Sequence, residues 1–554
     1  AAVIDKQTGH AGCPSINGKN GHTLRLSKGI EWHYQPVWII MRTPVKDLSS
    51  QHFDVAIIGG GINGAVTAAS LSAAGLRVLL VDKGDFAGFT SQESSNMVWG
   101  GIKYLQSLEF ELVYKLCVSR ARLMKNYPTR IRSIGFFAAI GPNSPADEAL
   151  TFLGALAYWF IGKFTTPAPR LFNKLQAAKY EPSLAGTDAS AAVQYFDGLL
   201  FDNDARFVWD FIQRAEATGA TVRNYTKLAM ASHEGDRWSM TLADQSSGET
   251  ATVTATAVVN AAGPYADGLN ELIGNRTESH LAFSKGIHLV VRKLTKDDRV
   301  LAFWDEEERL FYVIPMHDRS VIGTTDTRVG QPETEVTAED RDFVLRQINR
   351  SMKLAKPLTT DDIIAERCGV RPLVISNPRQ SKKSAEIDWH KLSRKHAIEA
   401  DRARKVVTIF GGKLTDCLNV GEEMRREMAD LGFKLKNELW FGEDHRVGAI
   451  QVGKLLEAKV KDPEVRARIA EGLWRRHGSK ANDIILGWTG SDVAEVFEGL
   501  GFTAGELRHI ARSEHVVTAR DLLRRRTPIA LVRSEAEIER NQTLQGILTE
   551  FGLA

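Results

Sequence analysis

Residues 53–82, FDVAIIGGGINGAVTAASLSAAGLRVLLVD, constrain the fold more than any other stretch of this chain. Val55–Ile58 is a short apolar run of the kind buried on both faces of a parallel sheet. Gly59, Gly61 and Gly64 complete GxGxxG directly after it. The first glycine permits a tight turn, the second lets backbone approach a pyrophosphate, and the third lets the following helix pack on the strand. The spacing predicts a helix over 62–74, whose N-terminal amides and dipole favour an anion. Val78–Val81 is a second buried strand, and Asp82 ends it where a carboxylate can accept hydrogen bonds from a ribose diol. A dinucleotide site follows from the whole strand–turn–helix–strand–acid unit, which a glycine-rich turn alone would not justify.

A chain of 554 residues has room for two or three domains with sizeable cores. Its net charge of +3 gives no reason to expect nucleic acid, whose binding proteins gather Lys and Arg on one face. Clusters such as Arg524, Arg525 and Arg526 read as solvated surface. The four cysteines, Cys13, Cys117, Cys368 and Cys417, are far apart, so neither a metal motif nor a disulfide framework is indicated, and reduced thiols in a cytoplasm are expected. No run matches a membrane-spanning helix. The nearest, 149–161 (ALTFLGALAYWFI), suits a buried helix or one lying in a membrane interface, where Tyr158 and Trp159 would settle. Residues 1–40 show neither periodicity nor a signal-peptide pattern. They are expected to be an extension or weakly ordered tail, with Met41 a natural start.

Further strands are expected around 221–225, 238–243 and 254–260, the last running into the small-residue turn Ala261–Pro264. Short strands at 287–291, 300–303, 310–314 and 320–323 suggest a mostly antiparallel sheet. A helix capped by Thr337 follows at 338–352, and apolar strands return at 363–369 and 406–410, the second ending in Gly411–Gly412. From about 436 the pattern is helical: 463–478, 480–486, 491–500, 504–514, 518–525 and 535–552. The expected fold is α/β. A doubly wound nucleotide-binding domain spans 51–435 in discontinuous segments, with a substrate domain inserted at about 121–200 and 276–361. Residues 436–554 form a helical domain, and 1–50 precede the fold.

From residue 53 to the C-terminus the chain resembles FAD-dependent glycerol-3-phosphate dehydrogenases, among the flavoproteins related to D-amino-acid oxidase and glutathione reductase. The carriers are IIGGGINGA (57–65), TSQESSNMVWGGIKYL (90–105), NAAGP (260–264), KGIH (285–288), IGTTD (322–326), GVRPL (369–373), FGGKLT (410–415) and the tail motif GSKANDIILG (478–487). The resemblance implies non-covalent FAD. Gly59, Gly61, Gly64 and Asp82 would hold its ADP half. Thr90, Ser91, Ser94 and Ser95 would lie along the pyrophosphate and ribityl chain, although such hydroxyls also serve as turn caps. Gly263, Gly411 and Gly412 would bring backbone against the flavin. The substrate pocket carries over to Lys103, Tyr104, His288, Arg371, Arg394 and Lys413. Quinone is the implied electron acceptor, at the inner face of the cytoplasmic membrane.

The residues support this chemistry. Oxidising a secondary alcohol needs a base for the hydroxyl proton, and a phosphate needs several cations. His288 suits the base, and the resemblance points equally to Arg371 for orienting and deprotonating the alcohol. Three positions depart from the family pattern, which has Lys at 96, His at 99 and Arg at 103, where this chain has Asn96, Trp99 and Lys103. Lys replaces a planar fork by a point charge, and Trp99 adds bulk while removing an ionisable group. Glycerol 3-phosphate or a related polyol phosphate is the expected substrate. Another hydroxy compound or an amine, or a flavin-binding protein without catalysis, are the competing readings.

Overall fold

The parallel strands foreseen at 55–58 and 78–81 pair in register, Val55 opposite Val78 and Ile58 opposite Val81. The computed structural model describes residues 42–375, 395–443 and 448–553, all within one folded unit, Met41–Ala554. Five strands lie parallel in the order Val406–Phe410, Thr250–Asn260, His52–Ile58, Val78–Val81, Thr221–Arg223. The antiparallel strands Arg237–Asp244 and Thr226–Glu234 extend this sheet from Thr250–Asn260, and Ala397–Asp401 forms its other edge. Helix Ile62–Ala73 is buried along nearly its whole length, because helices Asp204–Ala217 and Cys417–Asp430 pack on it as the sheet does. Its run of Ala, Gly and Ser makes that three-sided contact possible, and Ser70 donates to the carbonyl of Gly421 at 2.8 Å.

The second sheet has ten strands and is antiparallel except where Val300–Trp304 lies parallel to Ile131–Ile140. Its long central strand, His280–Arg292, pairs with Ala365–Ile375 over its first eleven residues. The N-terminal edge of the fold takes in Val45 and Leu48, both buried against the first sheet, so the folded unit starts before residue 50.

The helical tail differs from expectation in three places, the least of them a break at Asn541 that divides 535–552 into Glu535–Arg540 and Gln542–Glu550. Residues 491–500 do not continue as a helix. Asp492 turns back on Thr489, and the Glu495 carboxylate takes the amides of Gly499 and Gly501, which closes a loop bridged from Glu495 to Thr503. The Arg524–Arg526 run is buried within a π-helical turn, Asp521–Arg526, and is not solvated surface. Each guanidinium has a carboxylate: Arg524 pairs with Glu93 at 2.8 Å, Arg525 with Asp85 at 2.6 Å, and Arg526 with Asp85 at 2.8 Å. Leu507, Ile510, Leu522 and Ile529 share a core with Phe136, Tyr312 and Val321 of the second sheet, while Val452, Leu456, Ile469, Leu473 and Ile485 form a core of their own.

Candidate active site

Four parallel strands end at one cavity. Gly59 follows the first, Asp82 the second, Ala261 the strand Thr250–Asn260, and Gly411 the strand Val406–Phe410. Ligands of open α/β sheets bind at this end, where strand order reverses. The cavity has a volume of about 610 Å³, and Asp82, Thr226, Leu228, Gly61, Ser91, Gly411, Gly412 and Pro372 are among the residues that line it.

The three glycines divide the work by position. Gly59 has φ +111°, open to glycine but strained for a side chain, and a Cβ there would fall 2.4 Å from the carbonyl oxygen of Ala261. At Gly64 a Cβ would fall 1.8 Å from the carbonyl oxygen of Gly59, so helix and strand touch backbone to backbone. At Gly61 it would meet only the Ser91 hydroxyl, at 3.1 Å, and would otherwise project into the cavity. A Cβ on Gly263 would likewise meet nothing within 4 Å, and this glycine lines the same space.

Asp82 accepts from the amides of Gly60 at 2.6 Å and Gly84 at 2.8 Å. Burial pushes its carboxyl up to about 6 despite both bonds. An ionised carboxylate has about four acceptor positions, so room remains for further donors. Thr90 and Ser91 line the cavity, but both hydroxyls are engaged: Thr90 donates to the carbonyl of Val370 at 2.9 Å, and Ser91 accepts from the amide of Ile62 at 3.0 Å. Ser94 and Ser95 are set back from the cavity. Ser94 gives its amide to Asp204 at 2.7 Å, holding the loop. Asn63 donates to the carbonyl of Gly411 at 2.9 Å while its buried Oδ1 has no partner.

At the Gly412 end, Lys413 Nζ lies 2.5 Å from the Tyr104 hydroxyl and over its ring. Trp99 packs beside Tyr104, ring centres 5.8 Å apart. Lys103 sits on the same turn, Ile102–Leu105, and is exposed. Pro372, next to Arg371, meets Gly411. Arg371, Ser284, His288 and Arg367 share one face of the second sheet. His288 is buried with neither ring nitrogen hydrogen-bonded, and burial together with Arg367 and Arg371 holds it neutral, well below its ordinary range. Arg394 lies outside the described residues. Sequence reading missed the groups around these residues. Asp326, Thr324 and Ser284 surround Arg371, and His396 bridges Asp416 at 2.6 Å and Glu423 at 2.8 Å beside Gly412. Ser284 and Asp326 flank or lie within quoted motifs, but only their fold neighbours reveal a role. Burial alone would lower His396, yet the two carboxylates raise it to about 9.

A cavity at a helix N-terminus, with a backbone wall at Gly61 and Gly263, an unsaturated carboxylate and an unpartnered amide oxygen, fits a dinucleotide carrying a polar ring system. Comparison with known proteins names the class. The FAD dependent oxidoreductase family matches residues 54–412, and the C-terminal domain of alpha-glycerophosphate oxidase matches residues 445–550. The chain belongs to the FAD-dependent oxidoreductase family, and its cofactor is FAD. Within that class it is 28% identical to D-erythritol 1-phosphate dehydrogenase of Brucella abortus, over 87% of this chain and 96% of that protein. It is 29% identical to glycerol-3-phosphate dehydrogenase 2 of Mycobacterium tuberculosis, over 88% of this chain and 82% of that protein. Its fold resembles the glycerol-3-phosphate dehydrogenase of Bacillus halodurans solved with FAD, TM-score 0.67 at 23% identity, covering 92% of this chain and 93% of that one. The expected fold class and cofactor are borne out.

Proposed function

We propose that this enzyme oxidises a secondary alcohol of a phosphorylated polyol, with non-covalent FAD as first acceptor and membrane quinone as the next. Bound flavin supplies the two-electron acceptor for hydride. In this reading Gly59, Gly61, Gly64 and the helix N-terminus take the pyrophosphate, and Asp82 the ribose. Thr90, Ser91, Gly263, Gly411 and Gly412 shape the channel, and Ser94 and Ser95 support its loop. The observation that carries the substrate assignment is the contact of Lys413 with Tyr104, residues 309 apart in sequence, directly after the glycines that wall the cavity. An ammonium held by a phenol beside that wall suits a phosphate, with Lys103 and Arg394 as further cations. Neutral His288 can accept the hydrogen bond of a substrate hydroxyl, and Arg371 can stabilise the alkoxide charge as its proton leaves.

Relatives named for three-carbon and four-carbon polyol phosphates lie at similar identity. The Trp99–Tyr104 pair favours a pocket altered from that for glycerol 3-phosphate. An anaerobic panel of glycerol 3-phosphate, erythritol 1-phosphate, glycerol and an amino acid tests the assignment. Bleaching of flavin absorbance by a phosphorylated polyol is expected, and bleaching by the amino acid or glycerol alone would overturn it. Acid precipitation should leave the yellow colour in the supernatant.

Among the described residues, no helix is long and apolar enough to cross a membrane. Helix Glu148–Ile161 buries Ala155 and Tyr158 but exposes Leu150, Leu153 and Phe160, the last by 69%. It packs on the Lys103–Tyr104 turn, so an interfacial contact here would lie near the substrate entrance. Trp159 is half-buried and donates to the carbonyl of Thr166, which makes Phe160 the better probe. Phe160→Asp should release the protein from membranes with soluble flavin reduction intact. Unchanged partitioning would remove this face as the contact.

A further inference from the structure

We propose that Asp326 is a positioning residue that sets the guanidinium of Arg371 for the reaction, an inference that rests on reading Arg371 as the group that orients the alcohol. Strands His280–Arg292 and Ala365–Ile375 are antiparallel, with Ser284 opposite Arg371, Gly286 opposite Gly369 and His288 opposite Arg367. Alternation puts all six on one face. The middle pair carries no side chains, so a bare strip separates Arg371 from His288. The guanidinium of Arg371 fills it: a Cβ on Gly286 would fall 2.1 Å from Nη2 and 2.4 Å from Nη1.

Backbone alone does not choose that pose, because a bare glycine beneath a long side chain restricts no rotamer. The choice comes from the far end. Nη1 donates to Asp326 at 3.2 Å and to the carbonyl of Thr325 at 3.3 Å, with the Ser284 hydroxyl at 3.5 Å, and Nη2 donates to the Thr324 hydroxyl at 3.1 Å. Asp326 is the one charged group among these four acceptors. The wholly buried Ser284 donates its own hydrogen to the same carboxylate oxygen, which fixes that oxygen in turn. The ion pair is partly open, with Arg371 28% and Asp326 18% exposed, so its worth to stability is small. Its effect is on direction. It holds a flexible cation flat across the glycine strip, on the sheet face that His288 shares.

The test uses FAD-loaded wild type, Asp326→Asn, Asp326→Glu and Arg371→Lys, mixed anaerobically with glycerol 3-phosphate or erythritol 1-phosphate, whichever reduces wild-type flavin faster. Limiting reduction rate, substrate dissociation constant, FAD content and melting temperature are measured for each. Asp326→Asn should slow the limiting rate by about 100-fold, the scale of a 1 Å misplacement, with the dissociation constant, FAD content and melting temperature unchanged. Asp326→Glu, which keeps the charge, should recover part of the rate. A wild-type rate in Asp326→Asn, no recovery in Asp326→Glu, or loss of FAD or melting temperature in step with rate would overturn the inference. If Arg371→Lys leaves the rate untouched, or neither polyol phosphate reduces the wild type, the reading of the pocket has failed and the inference falls with it.

Discussion

Asp82 and Asp85 stand three residues apart at the end of one strand, both buried, and their surroundings treat them in opposite ways. Asp82 has two backbone amides and no arginine, and burial pushes it up to about 6. Burial would raise Asp85 too, but Arg526 and Arg525, helped by Asn224, overcome it and hold Asp85 below its ordinary value. The gap between Asp82 and an ordinary carboxyl amounts to about 3 kcal/mol of unmet stabilisation. The protein completes the environment of Asp85 with its own C-terminal residues. It leaves that of Asp82 incomplete, facing the cavity. A buried carboxylate short of donors and lining a cleft is what a ligand with hydroxyls can relieve; one saturated by arginines is a fastening.

The largest effect should come from breaking the fastening. Asp85→Ala strands the buried guanidinium of Arg526 and leaves Arg525 with the carboxylate of Asp521 alone, and removing one partner of such a pair costs about 3–5 kcal/mol. Apo-protein melting should fall sharply. Asp82→Asn should cost the apo-protein far less, because losing the one backbone amide that its NH2 cannot accept is offset by removing an ionisation that burial disfavours, yet weaken FAD by about ten- to a hundredfold through lost charge-assisted hydrogen bonds. Equal destabilisation by both substitutions would erase the distinction. Flavin fluorescence titration and thermal melting of the apo-proteins measure the two sides.

A pH series sharpens the contrast at smaller amplitude. The folded pKa of Asp82, about 6, lies above the unfolded value, so folded protein binds the extra proton. Its penalty is therefore fully present above pH 6 and fades as pH falls toward 4. Asp85 has the opposite sign: its stabilisation holds at neutral pH and is lost as pH falls through its depressed folded pKa. FAD binding to ionised Asp82 should weaken about tenfold on going from neutral pH to pH 5, and Asp82→Asn should flatten that dependence. A wild-type affinity independent of pH over this range would mean that Asp82 does not meet the ribose.

The same contrast explains what the sequence could reveal. The reasons for Gly59, Gly61 and Gly64 are local, each concerning a turn, a helix start or a strand a few residues away, so the motif announced both fold and cavity. The Arg524–Arg526 run has its reasons 431 to 441 residues away, in Glu93 and Asp85, and a run of arginines looks the same whether solvated or fastened. Residues 491–500 failed for a related reason: their helical periodicity lost to side chains of Asp492 and Glu495 that capture nearby backbone amides. The roles proposed for Arg371 and His288 come from their motifs. The role proposed for Asp326 does not, because it depends on strand register.

Lys103 offers the smallest and most discriminating change. Lys103 is exposed on the turn Ile102–Leu105, next to Tyr104, which Lys413 contacts. Lys103→Arg restores the fork usual in glycerol-3-phosphate dehydrogenases. Exposed charge contacts contribute about 0.2–1 kcal/mol, so kcat/KM should move by less than about tenfold either way. If the pocket is built for glycerol 3-phosphate, the bidentate fork should preserve or raise kcat/KM for it. If Trp99 and Lys103 together reshape the pocket, Lys103→Arg should lower kcat/KM for the native substrate and leave glycerol 3-phosphate poor. We favour the reshaped pocket, because two positions four residues apart change both bulk and charge geometry, with the Trp99 ring centre 5.8 Å from that of Tyr104. Wild-type turnover of glycerol 3-phosphate at about 10 per second, an ordinary enzymatic rate, would decide against it.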